Sequence, residues 1–462
     1  MHGDTKMKFT LSILFLIFFF TRSFAQKNPN HFKTDLDFGG GTVISTFLDL
    51  SLSNDQFKMT SPKNADKRIV GGTKARLGRL MGKLPKKGKI ITIKGTQKMD
   101  SLLGETKIPM FGKLKFKGTI HNGSLNGQLY NKDGVSTGTV LGQNSTEDRM
   151  DFSALYPQLI KTIKDNIYSK RELETKQWKS FEKDLGKLFN KAHDDIEIFF
   201  GFSILAQKLP FSHLYFLIGD TAQNENEKES EEKINKPKSV VFEERNLSTA
   251  YLQIKNFSSS QEELADILPK IIENKAYKNL IVDLRNNGGG GVGPAFEFAK
   301  YIVTEDLEVG YFPTNRLNYN GFEPELFKTL PEMQPKSTNE FGKELKKTPG
   351  VKLIFKKPNN PVFTGKLYIL TNGGTASTCE PIVYALKSRK KAIIIGETTC
   401  GAMLSASPFG VSGKYMLFIP VGDFYTHDGV RLDRVGVEPD IKVKSEDADE
   451  KAMEMINERK ER

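Results

Sequence analysis

An α/β core with a largely parallel sheet, preceded by a helical segment and a separate all-β domain, is the architecture this sequence predicts. Three observations lead to it. Residues 26–150 alternate apolar and polar side chains in strand period, with turn dipeptides between the short runs. Residues 151–222 change to apolar residues at helical spacing with charges between them. From 241 to 450, strand-like and helix-like runs alternate, the pattern of β–helix–β units on a parallel sheet.

The start of the chain sets the expected compartment. From Met7, "MKFTLSILFLIFFFTRSFAQ" has a basic start, a short apolar run and "SFA" ahead of Gln26. That is the layout of a secretory signal peptide, so residues 1–25 are expected to be removed and the protein exported, to a periplasm or the medium. The apolar run is shorter than the roughly 20 residues a membrane span needs. No later stretch is apolar enough to span, so no membrane span is expected after signal removal.

In the β-rich domain, "GKLKFKGTIHNGSLNGQLYNKDGVSTGTVLG" carries Asn122-Gly123, Asn126-Gly127 and Asp133-Gly134. Asn-Gly and Asp-Gly supply the positive φ angles of tight hairpins, so an antiparallel meander or small barrel is expected. The net charge of +12 is concentrated between Lys58 and Lys117. Such a surface can meet an anionic partner through this domain, or merely keep the protein soluble. Without an aromatic-rich basic motif, nucleic acid is not an expected partner.

Residues 223–240, containing "QNENEKESEEKINKPK", read as a charged linker, and residues 451–462 as a charged tail. Between them lies the core, 241–450, with two glycine-rich turns at strand ends, where ligands of parallel α/β sheets bind. The first is "DLRNNGGGGVG". Its N–H groups can cradle an oxyanion, and no Gly-Lys-Ser/Thr follows to make a phosphate loop. The second is "LYILTNGGTASTCEPIVYAL", with Ser377 at a strand-to-helix turn. A serine there is either a helix cap or a nucleophile whose oxyanion the adjacent N–H groups stabilise, and the pattern alone leaves both open. It is not a GxSxG elbow. Two cysteines, Cys379 and Cys400, allow one disulfide or two free thiols, and no zinc site.

Four segments in order, "LIVDLRNNGGG", "LYILTNGGTASTCE", "AIIIGETTCGA" and "GVRLDRVGVEPDI", resemble the C-terminal-processing, or tail-specific, serine peptidase family. The resemblance covers residues 248–441 and extends to the helical stretch before residue 215. It implies a crotonase-like core, a peptide or unfolded-protein substrate, an acyl-enzyme and no metal or organic cofactor. It also implies that Ser377, three residues before Glu380, is the nucleophile. The oxyanion donors carry over onto Gly289 (or Gly288) and Thr378.

The sequence departs from that family at one decisive position. Where the Ser–Lys members carry the lysine after "GExTxG", this chain has Ala402, and no room remains for a PDZ domain. Another base must take the serine proton. The Ser212-His213 pair in "LPFSHLYFLIGD" resembles the tricorn-core branch, so His213 is the expected base with Ser212 assisting. His427 is the alternative, and Lys387 or Lys414 the lysine fallback. A family glutamate corresponds here to Asp433, the expected orienting carboxylate. Asp440 is expected to be structural, and Asp283 with Arg285 to brace the glycine turn. Because Cys379 and Cys400 flank the serine and the vacated lysine position, the resemblance also allows a disulfide clamping that turn. The expected function is an exported serine endopeptidase. Two rivals are an inactive peptidase-like protein that binds peptides or glycans, and a crotonase-type acyl-thioester enzyme, which export makes implausible.

Overall fold

The structure, a computed structural model, describes residues 30–39, 41–62, 91–108, 112–219, 238–274, 276–335 and 337–458. The expected signal peptide and most of the expected linker lie outside the described residues. Among those described, no helix is long and apolar enough to cross a membrane.

Eight strands form the N-terminal domain: β1 (His31–Asp37), β2 (Val43–Ser53), β3 (Gln56–Thr60), β4 (Thr92–Lys98), β5 (Ser101–Ile108), β6 (Gly112–His121), β7 (Ser124–Tyr130) and β8 (Ser136–Asn144). Each pairs antiparallel with the next, and β8 returns to β1, closing a barrel. Alternation along each strand decides which side chains fill it. In β1, Phe32 and Leu36 are buried while Lys33 and Asp35 are exposed. Phe57, Ile93, Leu102, Phe116 and Leu129 join them in one cluster, so the interior is a packed core rather than a channel. Space there is tight: a Cβ at Gly127 would stand 2.4 Å from the Phe116 ring.

Three helices follow: α1 (Leu155–Asn166), α2 (Lys176–Lys191) and α3 (Asp195–Ala206). Their spacing puts Leu159, Ile163, Trp178, Phe181 and Phe202 into one cluster with Phe216 and Leu417 of the core. Thr175 caps α2 by accepting from Trp178 N at 3.1 Å, and Asp194 caps α3 by accepting from Glu197 N at 2.9 Å. The same end of α3 joins barrel to core: Asp195 accepts from Ser45 N at 2.8 Å and pairs with Lys414 at 2.5 Å.

The core comprises β9 (Tyr215–Ile218), β10 (Val240–Asn246), β11 (Thr249–Ile254), α4 (Gln261–Glu273), β12 (Asn279–Asp283), α5 (Val292–Ile302), β13 (Leu307–Pro313), α6 (Pro324–Lys328), β14 (Glu332–Met333), α7 (Thr338–Leu345), β15 (Gly350–Phe355), β16 (Lys366–Thr371), α8 (Cys379–Ser388), β17 (Ala392–Gly396), β18 (Ser405–Ser412), β19 (Tyr415–Gly422), β20 (Tyr425–Thr426), β21 (Ile441–Lys442) and α9 (Ala448–Glu458). The main sheet runs β10-β11-β12-β16-β17-β21 and is parallel except for β10 against β11. Smaller sheets, β14-β15-β13-β20 and β18-β19-β9, flank it. Period-two alternation covers both faces of the main sheet. Leu280, Val282, Leu367 and Ile369 pack with α4, α5 and α8, whereas Ile281, Tyr368 and Leu370 face the other way.

That other face corrects the sequence reading of a charged tail at 451–462. Residues 448–458 form α9, whose Ala448, Ala452 and Ile456 are buried against Tyr368, Leu370 and Ile395. The charged residues occupy its outer side. Ile456→Ala is expected to lower core stability by roughly 2–4 kcal/mol, measured by denaturant unfolding. An unchanged midpoint would mean that α9 does not hold the sheet.

Candidate active site

The turn after β16 carries Ser377. Asn372 and Thr375 shape it, with Asn372 N donating to Thr375 Oγ1 at 3.0 Å and Gly374 N to Asn372 Oδ1 at 2.9 Å. It is tied to the glycine-rich turn after β12, where Thr375 Oγ1 donates to Leu284 O at 2.8 Å and Ala376 N to Asn287 O at 2.9 Å. Ser377 has φ +55°, and α8 opens only at Cys379, with Thr378 as the capping residue. Thr378, not Ser377, is the N-cap residue, and its side chain makes no cap hydrogen bond.

Glu380 fixes the turn. It is 0% exposed and accepts from Ser377 N at 3.0 Å, Thr399 Oγ1 at 2.6 Å, Gly401 N at 2.7 Å and Ala402 N at 3.0 Å. Glu380 N in turn donates to Ser377 O at 2.8 Å. Burial pushes its carboxyl above the ordinary value, and those four donors pull it back. In the sequence Glu380 stands out only as a landmark three residues after Ser377. Its S-x-x-E spacing, a capping-box pattern, was the signal that could have exposed this role.

The glycine turn presses directly on the serine. Gly289 has φ +91°, and a Cβ there would lie 2.7 Å from Ser377 Cβ. Only glycine fits. The oxyanion assignment to Gly289 or Gly288 needs correction, however. Gly289 N–H already donates to Asn287 Oδ1 at 2.9 Å, and the residue of this turn that faces the cavity beside Ser377 is Gly290. Phe257 N donates to Gly289 O and Gly291 N to Phe257 O, so the N–H and C=O of Gly290 face the opposite way. Its carbonyl accepts from Thr378 Oγ1 at 2.7 Å. Thr378 N–H and Gly290 N–H have no partner among the described residues.

His213 arrives from the segment before β9. Its Nδ1 lies 2.6 Å from Ser212 Oγ, which donates to Asp433 Oδ1 at 2.5 Å. Because that hydroxyl spends its proton on the carboxylate, it accepts from Nδ1–H, which leaves the lone pair on Nε2. Asp433 is 2% exposed and also accepts from Ser212 N at 3.2 Å and Met403 N at 3.1 Å. Arg434 ties the histidine segment down, its guanidinium donating to Leu209 O at 3.2 Å and to Phe211 O, while Arg434 N donates to Gly401 O at 2.6 Å. Burial lowers the His213 pKa below its ordinary value; the Asp433 carboxylate opposes this and the Arg434 guanidinium adds to it.

Ser377 and His213 line one cavity of about 320 Å³, with Phe296, Phe312, Phe341, Phe355, Ile382 and Met403 among its walls. Among the described residues no hydrogen bond joins Ser377 Oγ to His213. Of the eight non-glycine residues with positive φ among the described residues, four (His213, Asn286, Ser377 and Arg434) belong to this region. Such backbone conformations persist only where surrounding contacts hold them, and they concentrate at functional sites.

The other candidates lie elsewhere. His427 does not line the cavity; its ring stands 6.2 Å from Tyr384, on the C-terminal half of α8. Lys387 donates to Glu438 O at 2.5 Å and Lys414 serves the barrel junction, so neither reaches Ser377. The disulfide is corrected: both thiols are free, Cys379 being buried and directed at Asn287 O at 3.5 Å while Cys400 is exposed. Asp440 holds Ile394 N at 2.9 Å, and Asp283 chelates Arg285 at 3.0 and 2.6 Å, contacts within the fold rather than at the cavity.

With this arrangement in hand, likeness to known proteins can be judged. The chain carries a serine-type peptidase domain: residues 248–443 match the family described as Peptidase family S41. Over that stretch the chain is similar to C-terminal-processing peptidases. A carboxyl-terminal-processing peptidase 1 of Arabidopsis thaliana chloroplasts is 25% identical over 196 residues, 42% of this chain and 34% of that protein. The carboxy-terminal processing protease CtpA of Bacillus subtilis is 24% identical over 209 residues, 45% and 38% of the two chains. The chain thus spans about a third of the length of the curated relatives it matches. The solved photosystem II D1 C-terminal processing protease superposes with TM-score 0.39 at 14% identity, covering 65% of this chain and 94% of that one.

Removing the buried carboxylate tests the scaffold. Glu380→Ala strands four donors and is expected to cost roughly 3 kcal/mol or more in unfolding experiments. A loss under about 1 kcal/mol, the size of an ordinary exposed contact, would mean the turn does not need it.

Proposed function

We propose that this protein is an exported serine endopeptidase that cleaves peptide bonds through an acyl-enzyme on Ser377, with His213 as base. The observation that carries the proposal is the chain Asp433–Ser212–His213, which leaves the Nε2 lone pair free on a residue lining the same cavity as the serine. Ser377 Oγ attacks the carbonyl carbon and its proton passes to His213 Nε2. The resulting oxyanion is held by Thr378 N–H and Gly290 N–H. Collapse breaks the C–N bond, the leaving amine takes the proton from His213, and an ester remains on Ser377. Water, deprotonated by the same imidazole, then releases the acid. The six apolar wall residues favour a large apolar side chain next to the scissile bond. The core is read as crotonase-like and the site as the tricorn-type variant of its family, with Ser212 relaying between histidine and carboxylate in place of a lysine. Proteins or unfolded segments are the substrate class.

A fluorophosphonate probe is expected to label the wild type and not Ser377→Ala; labelling of both at another residue counts against the nucleophile. Saturable peptide binding without hydrolysis in the wild type would favour the inactive binding protein instead. The pH profile follows from the direction of the His213 shift. The base must be neutral to act and its pKa is lowered, so kcat/KM rises with pH through a midpoint below about 6.5, the ordinary histidine value. Asp433→Asn removes the charge that raises this pKa, so it moves the midpoint lower still. It also cuts kcat by roughly a thousandfold through loss of tautomer control. A midpoint near 9 would point to a lysine base.

A further inference from the structure

The outer wall of the barrel holds a lysine-rich arrangement that is mostly unpaired among the described residues. Register places Lys58 opposite Lys94, Lys94 opposite Glu105, and Glu105 opposite Lys115, one row across β3, β4, β5 and β6. Beside it, Lys107 stands directly opposite Lys113. All these side chains point outward and are exposed, and Lys132 from the loop after β7 reaches the same shallow crevice. Glu105 is the one carboxylate in the patch, 3.9 Å from Lys94 with both side chains mostly exposed. Two pairs of like charges directly opposite one another destabilise a sheet. Among the described residues Lys107, Lys113, Lys115 and Lys132 have no carboxylate partner.

The placement is also asymmetric. In the eight-strand ring, β6 lies opposite β2, and β2 is the strand that contacts α3 through Ser45 and Thr46. On β1 and β2 the outward charges are mixed and paired, as in Lys33 with Glu147 and His31 with Asp49. The unbalanced lysines therefore face away from the rest of the molecule.

We infer that the outer face of β3–β6 docks on an anionic lipid bilayer. The charges spread over four strands, about 14 Å at the usual spacing, and do not converge on a point, which suits a charged plane better than a small anion. All are lysines. Their long stems reach independently and make no planar fork for a single phosphate or carboxylate. Leu103, 55% exposed, is on the same outward face, and Lys117 sits over the Tyr130 ring at 5.5 Å. An apolar side chain and a tyrosine among lysines match a headgroup layer. Clusters of four to eight lysines read as sites for anionic lipid, each adding to the attraction near the surface.

The test is cosedimentation of the full chain with vesicles of phosphatidylcholine, alone or with about one third phosphatidylglycerol as the anionic lipid. Binding to the anionic vesicles alone, weakening as salt rises, is expected. The variant Lys107→Gln/Lys113→Gln/Lys115→Gln/Lys132→Gln should bind about a hundredfold more weakly or worse, with Ser377 labelling retained as the check that the chain is folded. Undiminished binding by that variant overturns the inference and assigns the effect to other basic residues, such as those of the 63–90 connection. Equal binding to neutral vesicles overturns it too, as does retention on heparin without vesicle binding, which would make the partner a sulfated polysaccharide. A single Lys107→Glu converts one like pair into an opposite pair; it should raise the thermal midpoint while weakening binding, and a lowered midpoint contradicts the reading of that pair.

Discussion

The buried carboxylate of Glu380 is the constraint on which the site depends. A carboxylate taken out of water is costly unless its lone pairs are filled, and here one hydroxyl and three backbone N–H groups fill them. Those donors come from the serine turn and from residues 399–402. One side chain therefore locks together the turn bearing Ser377 and the segment 399–402. Ser377 can keep its unfavourable φ because both its N–H and its C=O are tied to Glu380.

A second constraint brings the histidine. β9 pairs antiparallel with β19, Tyr215 opposite Phe418, and this anchors the chain immediately after His213. Arg434 and Asp433 then grip the residues on the other side, one through carbonyls of residues 209 and 211, the other through Ser212. Adjacent residues of one loop thus hold both the position and the tautomer of the imidazole, while Gly401 joins that loop to the Glu380 network. The placement of the His213 ring thus rests on contacts from a distant segment. The buried Asp433 is what keeps its proton on Nδ1.

The barrel stands apart from this chemistry and meets the core at a polar junction, where Asp195 collects Ser45 N, Lys414 and Tyr415. Most of its large apolar residues fill its own interior, with a few such as Leu103 and Leu141 left outside among the charges. That division of labour explains why its strands read so plainly as alternating, and why nothing in them resembles a catalytic group.

Much was legible in the sequence because it is local. Alternation and turn dipeptides pointed to an antiparallel meander or small barrel, although Asn126-Gly127 lies inside β7 and not at a turn; helical spacing marked residues 151–222, and buried runs ending in glycine marked β12 and β16. Ser377 and the Ser212-His213 pair stood out from residue type and from the order of motifs. What the sequence could not reveal depends on contacts between distant segments. Whether Gly289 or Gly290 offers its N–H is decided by Asn287 and Phe257. Whether two cysteines pair depends on which way Cys379 points. Whether a charged C-terminus is tail or helix depends on an uncovered sheet face. Residue types and spacing determined that a serine, a histidine and a flexible backbone were available, because those are properties of the chain itself. Only the tertiary structure could decide which of them share a cavity, because proximity across more than a hundred residues is set by packing and carries no local signature.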